Sequence, residues 1–238
     1  MAQTYTKFFF SLLSGKTSQM RKFPLTFLVL LVVMAGCNQS NKIPENFDYG
    51  IIDNDVYKNS FFGMEVPLIP GWSVQNKEEM ARLMDKGADY IGKKDKKLGE
   101  QVKASTITTA NLLLMFKYAI DSASSEVNAF NASFLMLAEN VAARSDIKSG
   151  TDYLDQLKKL IARTYTNFKV SPEYSVIKVG NKNFDVLKVK NITTGDVEVT
   201  QLYCCLVEKG FALVITISYS GEEQEDELRT HLNKIKFD

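Results

Sequence analysis

The last third of the chain alternates apolar and polar positions in short runs that tight turns separate. Such short connections join neighbouring antiparallel strands. The pattern therefore predicts a four-stranded antiparallel meander over residues 174–179, 184–189, 197–208 and 211–219, with turns at Gly180-Asn181, Thr194-Gly195 and Lys209-Gly210.

Three segments have apolar residues at the three- and four-residue spacing of amphipathic helices. Each segment is preceded by residues that favour a helix start, and Asn76 with Glu79 has the spacing of a capping box. In the last segment, five acidic residues between Glu222 and Glu227 favour the positive end of the helix dipole. The predicted inner faces are Met80, Leu83, Met84, Ala88 and Ile91; Tyr153, Leu154, Leu157, Leu160 and Ile161; and Leu228, Leu232 and Ile235.

Further strands are predicted at 61–66, 112–118 and 133–139, and the last two are apolar enough to lie in the middle of a sheet. A loop rich in Ser and Asn, 121–131, separates those two. This order of elements predicts an α+β fold, an antiparallel β-sheet flanked by helices. Residues 57–238 are enough for one globular domain.

The N-terminal region has the pattern of an export signal. Residues 1–36 carry four basic side chains and no acidic one, and 14 uncharged residues run from Phe23 to Gly36. This run is shorter than the ~20 apolar residues that a membrane-spanning helix needs. It predicts a cleaved signal peptide over 1–36, and Met20 followed by Arg21 and Lys22 is a plausible true start.

Met34-Ala35-Gly36-Cys37 resembles the lipobox of bacterial lipoproteins, although Met34 replaces the usual Leu. The resemblance implies cleavage between Gly36 and Cys37 and attachment of a diacylglycerol and a fatty acid such as palmitate to Cys37. The alternative is a general secretory signal in which Cys37 is incidental. Residues 37–56, rich in polar and turn-forming side chains, are expected to form a tether. The residue after the lipidation site is Asn38 and not Asp, which resembles the class of lipoproteins that some bacteria sort to the outer membrane.

Composition excludes several function classes. Twenty-nine Lys and Arg against 28 Asp and Glu leave no excess of cations for binding nucleic acid. Three cysteines and one histidine are too few for a zinc site or a disulfide scaffold. No catalytic motif of the Ser-nucleophile or HExxH type is present, so we expect neither a metal nor a cofactor.

Two ends of the globular region carry a family resemblance. The segment Tyr57–Trp72, YKNSFFGMEVPLIPGW, looks like the opening of PsbP-like proteins, and the residues around Tyr203, Phe211, 215–219 and 232–237 are similar to their last hairpin, helix and strand. The resemblance implies an α/β/α sandwich around an antiparallel sheet. The family includes photosystem accessory subunits, a nuclear-import cofactor and many bacterial lipoproteins, which implies binding or assembly work.

Several residues have both a chemical and a structural interpretation. Cys204 and Cys205 are adjacent in a strand and point to opposite faces, so we expect buried thiols and no redox or metal role. His231 lacks a nucleophile or acid motif beside it, which favours a structural or surface role. The acidic run from Glu222 to Glu227 lacks the loop pattern of a calcium site, and the helix dipole explains it.

Two further groups were weighed as binding elements. Lys93, Lys94, Lys96, Lys97 and Lys103 form a basic stretch, which is either a solvated loop or a contact to acidic lipid headgroups or polysaccharide. Phe61, Phe62 and Trp72 either line a pocket or seal the end of the sheet.

The sequence therefore predicts a lipid-anchored protein of the bacterial cell envelope. Its domain is expected to bind another envelope component, protein or polysaccharide, without chemistry of its own. Two alternatives remain open at this stage: an enzyme that acts on envelope glycans with a pair of carboxylates, and a carrier of a small ligand.

Overall fold

The computed structural model describes residues 42–93, 95–120, 130–164, 168–192 and 197–238. It confirms the predicted α+β class, with all strand pairs antiparallel. The predicted signal peptide, the cleavage position at Gly36 and the lipidation residue Cys37 lie outside the described residues. Among the residues that the structure describes, no helix has both the length and the apolar character to cross a membrane.

The larger sheet contains eight strands in the order β4-β5-β6-β11-β10-β9-β7, with β8 also paired to β9. Consecutive strands β8 to β11 are neighbours, so the predicted meander is confirmed, and its predicted turn at Thr194-Gly195 lies outside the described residues. The strands are β4 (Ser73–Val74), β5 (Thr109–Phe116), β6 (Ser133–Asn140), β7 (Phe168–Val170), β8 (Ser175–Val179), β9 (Lys182–Ile192), β10 (Glu198–Glu208) and β11 (Phe211–Tyr219).

The smaller sheet has the order β1-β2-β3-β12. Its strands are β1 (Ile51–Asp53), β2 (Val56–Asn59), β3 (Met64–Pro67) and β12 (Lys236–Phe237). The four helices of the described residues are α1 (Lys77–Gly92), α2 (Lys96–Ser105), α3 (Gly150–Thr164) and α4 (Glu222–Leu232).

The larger sheet is buried on both faces, which makes a layered structure with two apolar cores. One core lies between the sheet and α1, α2 and α3. The other lies between the opposite face and the smaller sheet with α4. Tyr203 and Cys205 of β10 point into the first core, and Leu202 and Cys204 into the second. Burial on both faces explains why the central strands have long apolar runs and little alternation.

The helix predictions hold where local signals are strong. Asn76 accepts from the Glu79 backbone N–H at 2.8 Å, and the Glu79 side chain accepts from Asn76 at 2.9 Å, so the capping box is present. The five residues predicted as the inner face of α1 are all buried. Helices α3 and α4 also lie where they were predicted, except that α4 ends at Leu232, so Ile235 is buried in the segment after the helix and not on its inner face.

Two element predictions were wrong. The strand predicted at 61–66 begins only at Met64, because the Asn59 side chain accepts the Phe62 N–H and Gly63 adopts φ +59° in a turn. The solvated loop predicted around Lys96 and Lys97 is helix α2, capped by the Asp95 side chain at the Leu98 N–H. Short strands β1, β2 and β7 were not predicted.

The predicted tether over 37–56 is also corrected from residue 42 onward. Phe47 is buried, β1 lies within this range, β2 begins at its last residue Val56, and the Asn59 amide donates to the Asp48 carbonyl at 2.8 Å. The folded domain thus includes residues before 57. The buried aromatic side chain that packs this segment onto the domain is Phe47.

Helices α1 and α2 cross where two glycines meet. A Cβ on Gly99 would lie 2.8 Å from the Gly92 nitrogen and closer still to the Gly92 Cα, whereas a Cβ on Gly92 would make an ordinary 3.7 Å contact. We therefore expect Gly99→Ala to lower the free energy of unfolding by about 1–3 kcal/mol. The matched Gly92→Ala should be neutral within about 0.5 kcal/mol. Urea unfolding of both variants checks this, and equal effects would contradict the close crossing.

Candidate interaction surface

The first described residues are held against the loop between α2 and β5. The Ile43 N–H donates to the Ile107 carbonyl at 2.9 Å, and the Asn140 amide donates to the Lys42 carbonyl at 2.9 Å. We call Lys42, Ile43, Thr106 and Ile107 the N-terminal corner. These hydrogen bonds hold Lys42 and Ile43 against the folded domain.

Aromatic rings continue from the N-terminal corner into the domain. The Phe47 ring lies 5.0–6.4 Å from the rings of Tyr49, Phe61, Phe62 and Phe211, measured between centroids. Such tilted and edge-on pairs add to the free energy gained by apolar burial. The cluster joins the N-terminal segment to β11 of the larger sheet, so the segment is part of the core.

A carboxylate fastens the same segment at its turn. The Asp48 side chain accepts from the backbone N–H groups of Gly50, Ser60 and Phe61 and from the Ser60 hydroxyl. Burial acts to raise the pKa of Asp48, but these hydrogen bonds to the ionised form outweigh it and hold the pKa below its usual value. The turn is therefore fastened by a charged group at neutral pH.

Four large apolar side chains near this part of the chain remain exposed to solvent. Ile107 in the N-terminal corner is 50% exposed, Tyr49 is 37% exposed, and Ile51 and Ile52 in the edge strand β1 are 67% and 49% exposed. Isolated exposed apolar residues are ordinary on a protein surface. Among these four residues, Ile107 is the one that lies in the N-terminal corner, which makes it the candidate contact position.

Helix α2, whose last turn leads into the N-terminal corner, carries exposed lysines. Lys96, Lys97 and Lys103 are exposed, and the Lys103 ammonium lies 2.7 Å from the Asp89 carboxylate of α1. The Thr106 backbone and hydroxyl both donate to the Lys103 carbonyl, so the end of α2 runs directly into the N-terminal corner. Three lysines of the basic stretch predicted from sequence, Lys96, Lys97 and Lys103, therefore belong to an ordered helix that ends at the N-terminal corner, whereas Lys93 follows α1 and Lys94 lies outside the described residues.

The three aromatic residues expected either to line a pocket or to seal the end of the sheet are separated in the structure. Phe61 and Phe62 belong to the cluster around Phe47, whereas the Trp72 indole N–H donates to Glu227 of α4 at 2.9 Å. The second oxygen of Glu227 lies 2.9 Å from the Lys117 ammonium. Trp72 thus seals the opposite end of the sheet against α4.

The acidic run of α4 is used in ion pairs. Glu227 and Glu223 lie 2.9 and 3.8 Å from Lys117, and Glu225 lies 2.7 Å from Arg229. No group of three His, Cys, Asp or Glu side chains suited to a metal ion occurs within the described ranges. Glu222, Glu223 and Glu225 lie in the first turn of α4, where the dipole argument places acidic residues.

His231 and the two adjacent cysteines, Cys204 and Cys205, are buried. His231 is 4% exposed and its ring stands edge-on to Phe134 at 5.0 Å. Burial, with Lys234, lowers the pKa of His231 to about 4, so the ring is neutral at pH 7. Cys204 and Cys205 are buried free thiols, as predicted, and burial raises the pKa of Cys204 to about 12.

Sequence reasoning missed one buried charge. Glu139 is the second-last residue of β6, is 2% exposed and accepts from the Tyr153 hydroxyl of α3 at 2.8 Å. Burial raises the pKa of Glu139 to about 7, against the hydrogen bond and the nearby Arg144 guanidinium, which both lower it. Thr109 lies opposite Glu139 in β5, and its hydroxyl has no partner in the described part of the chain. A glutamate that closes an apolar strand was the available signal.

Comparison of the sequence with known protein families and with curated proteins finds no match. Among solved structures, the chain is similar to LpqN of Mycobacterium tuberculosis, described as involved in cell envelope biogenesis, with 10% identity, a TM-score of 0.40 and coverage of 73% of this chain and 82% of that one. The cyanobacterial PsbP of Synechocystis sp. PCC 6803 has 11% identity, a TM-score of 0.42 and coverage of 82% and 97%.

The protein of unknown function PA94 from Pseudomonas aeruginosa has 14% identity, a TM-score of 0.35 and coverage of 45% of this chain and 73% of that one. Values of this size describe a distant likeness in the arrangement of helices and strands. A shared arrangement does not carry function, which depends on particular sites. The residues of the N-terminal region and their packing are therefore the basis for a functional proposal.

Proposed function

We propose that this chain is a lipid-anchored protein of the bacterial cell envelope whose domain binds another envelope component without catalysing a reaction. The observation that carries the proposal is the lipobox-like Ala35-Gly36-Cys37 placed only five residues before Lys42, whose carbonyl is bound by the Asn140 amide of the domain. A signal ending in Cys, followed almost at once by a folded domain, is the layout of a protein held at a membrane.

The chemistry of the anchor supports a stable attachment. One acyl chain gives only marginal, reversible binding to a bilayer, whereas two or more chains hold a protein firmly. A diacylglycerol with an added fatty acid on Cys37 belongs to the second case. The exposed apolar residues Ile51, Ile52 and Ile107 favour a contact surface on the domain, and the carboxylates of α4 that stand together are engaged by Lys117 and Arg229. We therefore propose binding and not hydrolysis as the task of the domain.

The anchor is tested by Cys37→Ser in the full chain expressed in a bacterial host. We expect the membrane-bound fraction to fall at least about tenfold, because the variant has no thiol to carry the lipid. Ser40→Ala is the matched control, which leaves Cys37 intact, and it should stay in the membrane fraction. The measurement is immunoblotting of membrane and soluble fractions. Equal membrane retention of Cys37→Ser and Ser40→Ala would contradict the proposal.

A further inference from the structure

We infer that the N-terminal corner, with the lysine face of α2 beside it, lies against the phospholipid surface to which the chain is anchored. The inference rests on the proposed function, because it needs the lipid on Cys37. It goes beyond that function by giving the domain one orientation and one membrane-contacting face. The juxtaposition that carries it is an exposed isoleucine hydrogen-bonded to the segment that leads to the anchor.

The reach of the chain limits where the anchor can lie. Each residue of an extended chain spans at most ~3.6 Å, so five residues from Cys37 to Lys42 span no more than about 18 Å. A domain of about 180 residues has a diameter of about 40 Å. The two hydrogen bonds at Lys42 and Ile43 prevent residues beyond 42 from adding length. The N-terminal corner is therefore held within half a domain diameter of the acylated residue.

The side chains at this corner suit the interface between lipid headgroups and acyl chains. Ile107 is a 50% exposed apolar residue at the tip of a turn, and Ile43 beside it is half-buried. Lys103 is exposed in the last turn of the helix that leads to this tip, where its ammonium also pairs with Asp89 of α1. Lys96 and Lys97 are exposed in the first turn of the same helix, which contains Glu100 as its acidic residue. Apolar tips flanked by lysines enter the headgroup region and attract anionic lipids.

The opposite side of the sheet offers a matched reference position. Val176 in the outer strand β8 is 60% exposed, slightly more than Ile107, and it lies far from the N-terminal segment in the strand order. It has the same apolar character but no chain connection to the anchor. If exposure alone decided membrane contact, Val176 and Ile107 would behave alike.

The test uses the full lipidated protein, purified and reconstituted into vesicles of phosphatidylethanolamine and phosphatidylglycerol. Ile107→Cys and Val176→Cys are labelled with a maleimide fluorophore, which the buried Cys204 and Cys205 do not take up in the folded protein. Vesicle lipids that carry a nitroxide near the headgroup quench fluorophores at the surface. We expect quenching at position 107 to exceed that at position 176 at least about threefold.

The lysines are tested in the same assay. Replacing Lys96, Lys97 and Lys103 by Gln should reduce the quenching at position 107 in the anionic vesicles, and the same changes at Lys169, Lys178 and Lys188 on the far strands should not. Equal quenching at 107 and 176 would overturn the orientation. A label at 107 that is shielded from both the lipid quencher and aqueous iodide would also overturn it, because a protein would then cover the corner.

The two proposals fail in different ways. Mass spectrometry of the reconstituted protein shows beforehand whether Cys37 carries lipid. An acylated chain with equal quenching at both positions rejects the orientation and leaves the anchor standing. A chain without acyl groups rejects the proposed function itself, and the orientation with it.

Discussion

Glu139→Gln is expected to raise the free energy of unfolding by about 3 kcal/mol at pH 8 and to leave it unchanged at pH 4. The pKa of Glu139 is raised to about 7 in the folded protein, from about 4.5 in the unfolded chain, chiefly by burial. Each pKa unit corresponds to about 1.4 kcal/mol of difference between the protonation states. Glutamine reproduces the shape of the protonated acid and still accepts from Tyr153.

The sign of the pH dependence follows from the raised pKa. Below pH 4.5 the carboxyl is protonated in both states and costs nothing. Between pH 4.5 and 7 the unfolded chain releases its proton while the folded chain keeps it, so the wild type loses stability as pH rises. Above pH 7 the folded protein holds an ionised Glu139 and the loss is complete. The variant lacks this dependence.

Urea unfolding at pH 4, 6 and 8 measures the effect. The exposed Glu100 in α2 provides a matched control, because Glu100→Gln removes the same charge without burial and should change stability by less than about 0.5 kcal/mol. If the Glu139→Gln variant were no more stable than the wild type at pH 8, the buried, ionised carboxylate of Glu139 would not destabilise the folded protein, which would contradict the prediction.

Phe47→Ala is expected to lower the free energy of unfolding by about 3 kcal/mol, since large-to-small changes of buried aromatic residues cost about 3–5 kcal/mol. Phe47 is 8% exposed and contacts four other aromatic rings, so its removal leaves a cavity between the N-terminal segment and β11. Chemical unfolding measures the loss. Hydrogen exchange should show faster exchange at Ile43 and Gly50, whose N–H groups are bonded in the wild type.

Tyr49→Ala is the control for this prediction. Tyr49 lies two residues away and is 37% exposed, so its truncation should cost about 1 kcal/mol or less. If Phe47→Ala cost no more than Tyr49→Ala, the residues before 57 would behave as the tether that composition predicts. The result also bears on the membrane orientation, because a loosened segment would lengthen the reach from Cys37.

The sequence predicted helices and strands well where local signals and burial agree. Helix α1 carries a capping box and a clean apolar face, and β5 and β6 are apolar on both faces. Helix α2 was missed because its lysines obscure a narrow apolar stripe of Leu98 and Val102, closed by Gly99 at the contact with Gly92. Because part of the contact between α1 and α2 is made by glycines, the sequence of α2 shows only a weak hydrophobic periodicity.

The N-terminal segment was missed for a different reason. Its polar residues, such as Asn46 and Asp48, are typical of a linker, but Asp48 makes its hydrogen bonds to Ser60 and Phe61, and Phe47 packs on Phe211. Partners that are distant along the chain leave no periodic pattern. The α+β fold class could be predicted from sequence. The N-terminal corner, in which Ile43 is bound to Ile107, depends on contacts between residues far apart in the chain and could not.

Among the residues with candidate chemistry, some could be predicted from local sequence and others depend on distant contacts. Burial of Cys204 and Cys205 follows from adjacent positions in a two-sided strand, and the structure confirms it. The importance of Glu139 depends on Tyr153 of α3 lying over it, which no local pattern contains. The exposure of Ile107 likewise depends on how a turn projects from the surface.

The central claim, lipid on Cys37, is tested most directly by mass spectrometry of the N-terminal peptide of the protein extracted from cell membranes. The claim predicts a mature chain that begins at Cys37, followed by Asn38, with the mass of a diacylglycerol on sulfur and of a fatty acid on the α-amino group when the host adds one. A mature chain that begins elsewhere, or an N-terminal Cys37 without acyl groups, would contradict it.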